Sequence, residues 1–429
     1  MTADPAVILF DRVRLLDPAS GVDRVGRLLV RDGVVAALDD PAEGVPEGAA
    51  VIDGAGAVLC PGLVDMRVAL GEPGHEYRET VASAARAAVS GGVTAVCALP
   101  NSRPAIDDPA LVRLLRARGE ETGLIDILPY GAVTRGCEGT EMAELGLLLE
   151  AGAVAFTDGT RAVADARTMR LALSYARGFG ATVIQHPEDP SLARNGVATE
   201  GELATRLGLP GIPAAAEAIL AARDIRLAAL TGGALHLAHV STAETVAVVR
   251  RAKDEGVRVT CDTAPPYFDL NETAIGDFRT YAKLSPPLRP ESDRAAICAA
   301  LADGTIDAVA SDHLPCDADD KRLPFAQARA GGTGLATLLA ITLSRVHDGT
   351  IALPRAIELL TAAPARLLKL SAGTLRIGAP ADLCLFDPER GWRITAGKLP
   401  GHAQNTPFDG RPVEGRVLGT WKHGRRVFG

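Results

Sequence analysis

The stretch PGLVDMRVALGEPGHEYRE, residues 61–79, carries the pattern that sets the fold of this chain. It contains a short apolar segment, LVDMRVA, that is typical of a buried β-strand. A loop rich in glycine, proline and charge follows, and then the amphipathic segment ETVASAARAAVSGG, which is typical of a helix that ends in glycine. A second apolar run, VTAVCALP, comes next, so the stretch opens a strand–loop–helix–strand unit.

The same unit recurs along the middle of the chain. The further strand-like runs are IDILPYGAV, AVAFTDG, TVIQHP, ALHLAHVS, VRVTCDTAP and IDAVASDHLP, and amphipathic stretches separate most of them. Near-continuous apolar strands that alternate with helices indicate a parallel sheet covered on both faces. With the first two runs they predict an α/β fold, a closed (β/α)8 TIM barrel over residues 58–372.

The two ends of the chain have a different pattern. Residues 1–57 and 373–429 contain short alternating segments separated by turn residues, which predicts one small composite β-domain built from both ends. Within the second range, residues 390–412 are polar and rich in turn formers, so we expect a long surface loop there.

Composition narrows the class of protein. The formal net charge of −8 gives no electrostatic reason to expect nucleic acid or an anionic membrane as a partner. No apolar run reaches the ~18 residues of a membrane span, and the N-terminus lacks the pattern of a signal peptide. The seven cysteines form no CxxC pair, which predicts buried thiols and a reducing, cytoplasmic location.

Polar side chains recur where the predicted strands end, the edge at which barrels of this type carry their chemistry. A single histidine at such a position is more often structural, but several on different strands favour a functional site. The candidates, in chain order, are Asp65, Arg67, Ala69, Asn101, Asp158, His186, His239, Asp312 and His313.

Two histidines and a carboxylate form a plausible three-ligand zinc site with an open position. Asp158, His186 and His239 could supply these ligands. Asp312, one predicted strand further round the barrel, could then take a proton from a metal-bound water.

The chain resembles the class I dihydroorotases of the amidohydrolase superfamily over nearly its whole length. The resemblance rests on several segments taken together, among them PGLVDMRVALGEPGHEYRE, GGVTAVCALPNSRPAIDD, QHPEDPSL, LHLAHVSTAETV, KLSPPLR, SDHLP and GAPADLCLFDP. It implies a TIM barrel that holds one or two zinc ions. The activity that it implies is the reversible hydrolysis of dihydroorotate to carbamoyl aspartate in pyrimidine synthesis.

The resemblance carries over to some positions and fails at others. Asp158 matches a bridging metal aspartate, His186 and His239 match metal histidines, Asp312 matches the catalytic aspartate, and Asn101 matches a substrate-binding asparagine. Active members read HxHLRE after the first strand, where this chain reads RVALGE. The positions that depart from the family pattern are Arg67 and Ala69 for the two histidines, Gly71 for the substrate-binding arginine, Ser285 for an asparagine, and Cys316, Pro265 and Pro266 for further histidines.

These departures predict a chain that keeps the fold and has lost the chemistry. A guanidinium at position 67 would place a permanent cation beside the metal centre. We therefore expect at most one zinc, held by Asp158, His186 and His239, and none bound tightly.

Three functions remain open from the sequence. The resemblance implies a non-catalytic homologue that assembles with aspartate carbamoyltransferase and supports its structure. We also expect this homologue to be a homo-oligomer. The alternative is an active zinc-dependent cyclic amidohydrolase (dihydroorotase, or a hydantoinase- or allantoinase-like enzyme) with a remodelled single-metal site. A third is a sensor that binds a pathway metabolite without turnover.

Overall fold

The structure, a computed structural model, describes residues 7–38 and 44–429. Residues 1–6 and 39–43 of the predicted composite β-domain therefore lie outside the described residues. The strands are β1 (Val7–Asp17), β2 (Val22–Arg31), β3 (Val34–Leu38), β4 (Ala50–Asp53), β5 (Val58–Pro61), β6 (Leu63–Val68), β7 (Val93–Ala98), β8 (Asp126–Pro129), β9 (Phe156–Thr157), β10 (Thr182–Gln185), β11 (Ala198–Thr199), β12 (Gly211–Ile212), β13 (Ala234–Leu237), β14 (Val259–Thr263), β15 (Ala308–Val309), β16 (Leu383–Asp387), β17 (Trp392–Arg393), β18 (Pro412–Val413), β19 (Arg416–Lys422) and β20 (Arg425–Phe428).

The helices alternate with the central strands, as the sequence pattern predicts. They are α1 (Val81–Ser90), α2 (Pro109–Thr122), α3 (Leu145–Glu150), α4 (Ala166–Gly178), α5 (Glu202–Leu207), α6 (Ala215–Thr231), α7 (Ala243–Asp254), α8 (Pro265–Asp269), α9 (Glu291–Asp303), α10 (Ala318–Arg322), α11 (Leu338–His347), α12 (Leu353–Leu360) and α13 (Ala362–Leu367). Of the helices in the described ranges, none is both long and apolar enough to cross a membrane.

The central strands close into a barrel. The parallel strands β6, β7 and β8 form one hydrogen-bonded sheet, and β9, β10, β13, β14 and β15 form another. Parallel bridges join Val68 to His313 and Gly131 to Phe156, and so connect the two sheets on both sides. The predicted (β/α)8 barrel is confirmed.

The two chain ends share one sheet beside the barrel. Its strand order is β20-β19-β16-β5-β1-β2-β3, with β4 paired to β1. Strand β5 lies between β16 and β1, so the sheet extends four residues beyond position 57, to Pro61. Phe10 and Trp421, from opposite ends of the chain, meet edge to face at 4.8 Å in its core.

Most of residues 390–412 form the polar surface segment expected from the sequence, but part of it is buried. Residues 405–408 are buried. The Asn405 side chain accepts a hydrogen bond from the backbone N–H of Cys316 and donates to the carbonyl oxygens of Leu314 and Gly331. The prediction fails at residues 405–408 because the Asn405 amide, which looks solvated in the sequence, satisfies backbone groups at the barrel mouth.

Candidate active site of the barrel mouth

A cavity of about 300 Å³ opens at the carboxyl ends of the barrel strands. Its position agrees with the edge at which TIM barrels carry functional residues. Its lining includes Arg67, Ala69, Gly71, Glu72, His75, Arg78, Asn101, His186, Ser285 and Arg329. Candidates from the first, second and fifth predicted strands therefore share one cavity.

Arg67 turns into the site and is almost fully buried, with 2% of its surface exposed. Its Nε donates to Asp312 Oδ1 at 2.7 Å, and its Nη2 donates to the carbonyl oxygen of Gly159 at 3.1 Å. The ion pair joins the end of β6 to the loop after β15. A fixed cation is thus part of the centre itself.

Asp312 is held in its charged form by its neighbours. Burial alone would raise the pKa of this carboxyl. The charges of His239 and Arg67, with their hydrogen bonds, outweigh burial and hold the pKa well below its usual value. A carboxylate with so low a pKa is a poor proton acceptor near neutral pH.

His186 and His239, which follow the paired strands β10 and β13, lie against each other. His186 Nδ1 and His239 Nε2 are 2.7 Å apart, and His239 Nδ1 lies 3.3 Å from Asp312 Oδ2. Burial lowers the pKa of His239, and the charge of Arg67 lowers it further. The charge and hydrogen bond of Asp312 act in the opposite direction on this pKa.

Both carboxylate oxygens of Asp158 accept hydrogen bonds from Thr134. Its Oδ1 accepts from the backbone N–H of Thr134 at 2.9 Å, and its Oδ2 accepts from the Thr134 hydroxyl at 2.5 Å. Burial raises the pKa of this carboxyl, with these bonds acting in the opposite direction. The carboxylate is engaged by the loop after β8.

Asn101 uses both ends of its amide on the backbone. Nδ2 donates to the carbonyl oxygen of Asp158 at 2.9 Å, and Oδ1 accepts from Thr160 N at 2.8 Å. A Cβ at Gly159, where φ is +65°, would lie 1.7 Å from Asn101 Oδ1. Gly159 is therefore required for this packing, and it also presents the carbonyl oxygen that Arg67 binds.

Asp65 and His313 tie strand ends together. Asp65 Oδ1 accepts from the backbone N–H groups of Arg67 and Ser311, while Oδ2 is buried without a hydrogen-bond partner. His313 Nδ1 accepts from Gly334 N at 3.2 Å, and Nε2 lies 3.8 Å from Glu79 Oε2. Both side chains hold the strand-one and strand-eight loops in register.

The donor set fits a zinc ion poorly. Zinc takes nitrogen ligands at about 2.0–2.1 Å, each with a free lone pair, whereas the facing nitrogens of His186 and His239 are within hydrogen-bonding distance of each other. Asp158 points to Thr134, and Arg67 occupies Asp312. Within residues 7–38 and 44–429, the ligand atoms close enough to form a group of three belong to exposed residues, His347, Glu389 and Glu414. The predicted set of Asp158, His186 and His239 is not assembled.

Some residues of the site carried no signal in the sequence. Thr134, which binds Asp158, and Arg329, which lines the cavity, match no motif. Asp262 was also missed: its Oδ1 accepts from His239 N at 2.6 Å, and its Oδ2 lies 2.8 Å from His236 Nε2. The β13–β14 register pairs His236 with Thr260, and Asp262 lies two residues further along β14 on the same face of the sheet, so this register is the pattern that would have located Asp262.

Comparison with known proteins agrees with this architecture. Residues 56–245 match the model of a family described as dihydro-orotase-like. A dihydroorotase from Pelobacter propionicus is 45% identical over 421 residues, which cover 98% of this chain and 99% of the relative. The chain belongs to the dihydroorotase family. A dihydroorotase from Desulforapulum autotrophicum is 44% identical over 423 residues, covering 98% and 99% of the two chains.

Solved structures agree at the level of the fold. The L-hydantoinase (dihydropyrimidinase) of Arthrobacter aurescens superposes with a TM-score of 0.87 at 24% sequence identity, covering 98% of this chain and 96% of that one. The dihydropyrimidinase of Brevibacillus agri gives a TM-score of 0.83, also at 24% identity, over 98% and 95%. The (β/α)8 barrel with its terminal sheet is thus a fold that this chain shares with both structures.

Proposed function

We propose that this chain is a dihydroorotase-like protein of pyrimidine biosynthesis that does not hydrolyse dihydroorotate. We further propose that it serves in the cytoplasm, as a homo-oligomer, as a structural partner of aspartate carbamoyltransferase. The observation that carries the loss of catalysis is the buried ion pair between Arg67 and Asp312.

The ion pair opposes metal binding electrostatically. Arg67 is always protonated, and its Nε lies 2.7 Å from the carboxylate that would otherwise face the metal centre. Two unit charges 4 Å apart interact by roughly 4 kcal/mol at an effective dielectric of about 20. That repulsion alone corresponds to about three powers of ten in metal affinity.

The ion pair also disables the proton acceptor. In the resemblance to active members, Asp312 is the position of the catalytic aspartate. Here its two oxygens face Arg67 and His239, and its pKa is held low. A proton transferred to Asp312 would neutralise the charge that pairs with the buried Arg67 guanidinium.

The substrate-binding side chains of the family are also absent or engaged elsewhere. Gly71 stands where active members carry an arginine, and Asn101 is engaged by the backbone. Gly71 has φ +78°, and a Cβ there would lie 2.1 Å from the carbonyl oxygen of Glu79. The loop conformation therefore leaves no room for a side chain at this position.

The partner role is supported by what the chain retains. The match to relatives extends over 98% of its length, so the full extent of the family's chain is kept. A scaffold kept without its chemistry is expected where the shape itself is used. Aspartate carbamoyltransferase is the partner that the family resemblance implies.

The test compares this chain with the Pelobacter propionicus relative as a positive control. Each protein is purified with zinc present, assayed for dihydroorotate hydrolysis, and co-expressed with aspartate carbamoyltransferase from its own organism. We expect no turnover by this chain, and co-elution with the transcarbamoylase at a fixed ratio. Turnover that is abolished by Asp312→Ala or His186→Ala would instead establish the alternative, a single-metal cyclic amidohydrolase.

A further inference from the structure

Arginines line the cavity at the barrel mouth. Arg67, Arg78 and Arg329 all contribute to its wall. The carboxylate in the lining, Glu72, is engaged by the backbone, since its Oε1 accepts from Val81 N at 2.9 Å. This concentration of positive charge stands out in a chain with a formal net charge of −8.

These charges also affect the pKa of a neighbouring histidine, His75. Burial lowers the pKa of His75, and the charges of Arg78, Arg329 and Arg103 lower it further. The thiol of Cys316 experiences the charges of Arg329 and Arg78 as well. Two guanidinium groups from separate loops, residues 71–80 and 317–331, therefore act on one small volume.

Arg78 and Arg329 have N–H donors that are available to a ligand. Arg78 Nε is buried without a hydrogen-bond partner, and the nearest carboxylate oxygen, Asp320 Oδ2, is 3.6 Å away. The Arg329 side chain is exposed and has no ion pair within 4.0 Å among the described residues. A buried charged donor without an acceptor is costly, so an acceptor from a ligand would be favourable.

The backbone that carries Arg329 is fixed in place. Lys321 is buried, and its Nζ donates to the carbonyl oxygens of Arg329 at 2.7 Å, Thr280 at 3.1 Å and Lys283 at 3.3 Å. The loop is thus anchored beneath the cavity while the guanidinium stays at its rim. Preorganisation of this kind reduces the entropic cost of ligand binding.

From these observations we propose that the cavity binds a small dianion, a dicarboxylate or a phosphate, between Arg78 and Arg329 and releases it unchanged. The inference rests on the proposed function, because it assigns a regulatory ligand to a site without turnover. The arginines proposed to bind the anion differ from the substrate-binding arginine of active members, which lies at the position of Gly71. Guanidinium groups bind carboxylate and phosphate through paired hydrogen bonds, and two of them favour a ligand with two negative charges.

The test measures binding of succinate and of inorganic phosphate to the full chain by equilibrium dialysis, at ionic strength matched with sodium chloride. We expect saturable binding of one anion per chain, accompanied by a rise in melting temperature. Saturation by phosphate alone, or by succinate alone, would support the site and identify the class of ligand.

A pair of variants locates the site. Arg329→Gln removes one guanidinium from the rim, and we expect affinity to fall about tenfold or more. Arg322→Gln is the matched control, because Arg322 is exposed, lies on the same loop and pairs with Asp319; we expect its affinity to stay within about twofold of wild type. No saturable binding of either anion, or unchanged affinity in Arg329→Gln, would overturn the inference.

Failure of the anion-binding test can be distinguished from failure of the proposed function. Dihydroorotate turnover would refute the loss of catalysis whether or not the anions bind. Absence of turnover together with absence of anion binding would refute only the dianion site.

Discussion

The two sides of the barrel mouth differ in what they have kept. On the side of β10 and β13, His186 and His239 lie side by side with the polar network of His236 and Asp262 beneath them. On the side of β6 and β15, Arg67, at a position where the family resemblance implies a ligand histidine, binds Asp312. We call the first the retained side and the second, which contains the buried cation, the rebuilt side.

Under the proposed function, this difference is a metal site lost without loss of the fold. The retained histidines lie within hydrogen-bonding distance of each other, and His239 Nδ1 lies 3.3 Å from Asp312 Oδ2. On the rebuilt side, a buried ion pair joins two strand ends. We therefore expect perturbations of the rebuilt side to affect stability more than those of the retained side.

The largest effect is expected from Arg67→Ala. The substitution leaves Asp312 buried with its charge uncompensated and leaves a carbonyl oxygen of Gly159 without its donor. Breaking a buried pair by removing one partner costs about 3–5 kcal/mol. Urea unfolding of the variant and wild type at pH 7 measures this loss.

A double variant controls for the charge. Arg67→Met with Asp312→Leu removes both charges, and replacement of a buried pair by apolar residues is often neutral. We expect it to recover most of the stability lost in Arg67→Ala. If Arg67→Ala alone were as stable as wild type, the stability of the rebuilt side would not depend on the ion pair.

Asp65→Asn tests the same side through pH. Burial raises the pKa of Asp65 to about 6, above the usual 3.8, so its contribution to the unfolding free energy is lost as pH rises from about 4 to above 6. Asparagine can accept the same two backbone N–H bonds. We expect the variant to gain about 3 kcal/mol relative to wild type between pH 4 and pH 7, measured by urea unfolding. A pH-independent difference would contradict the assignment.

Gly71→Ala tests the closed loop on the rebuilt side. The positive φ and the 2.1 Å approach to the carbonyl oxygen of Glu79 predict a loss of about 1–3 kcal/mol in unfolding free energy. Gly21→Ala is the matched control, since Gly21 has φ +73° and open space around it. Equal losses in the two variants would mean that the backbone angle alone, and not the close approach, limits position 71.

The smallest effect is expected on the retained side. His186→Gln removes one half of the imidazole pair but keeps an amide that can bond to His239 Nε2. We expect a loss of about 1 kcal/mol or less. A loss as large as that of Arg67→Ala would remove the distinction between the two sides.

The fold was predictable because the strand–helix alternation is strong and local. Each of the eight predicted strands appears in the barrel, and both chain ends join one sheet. The burial of residues 405–408 was not predictable, because their polar side chains satisfy backbone groups distant in sequence. The burial of such segments is set by their tertiary contacts.

The candidate site was predictable in its residues and less so in its geometry. Sequence position put His186 and His239 in one candidate ligand set and predicted that Arg67 disrupts it. It could not show that Asp158 turns to Thr134, or that Asn101 is taken up by backbone groups. Those choices depend on rotamers and on the space left by Gly159.

The central claim is that Arg67 has replaced the metal at this centre, and zinc content tests it most directly. The measurement uses a His347→Ala background, which removes a ligand of the exposed group formed with Glu389 and Glu414. After dialysis against zinc-buffered solution, we predict well below one zinc per chain by mass spectrometry. One zinc per chain that is retained through dialysis and lost in His186→Ala would contradict the account.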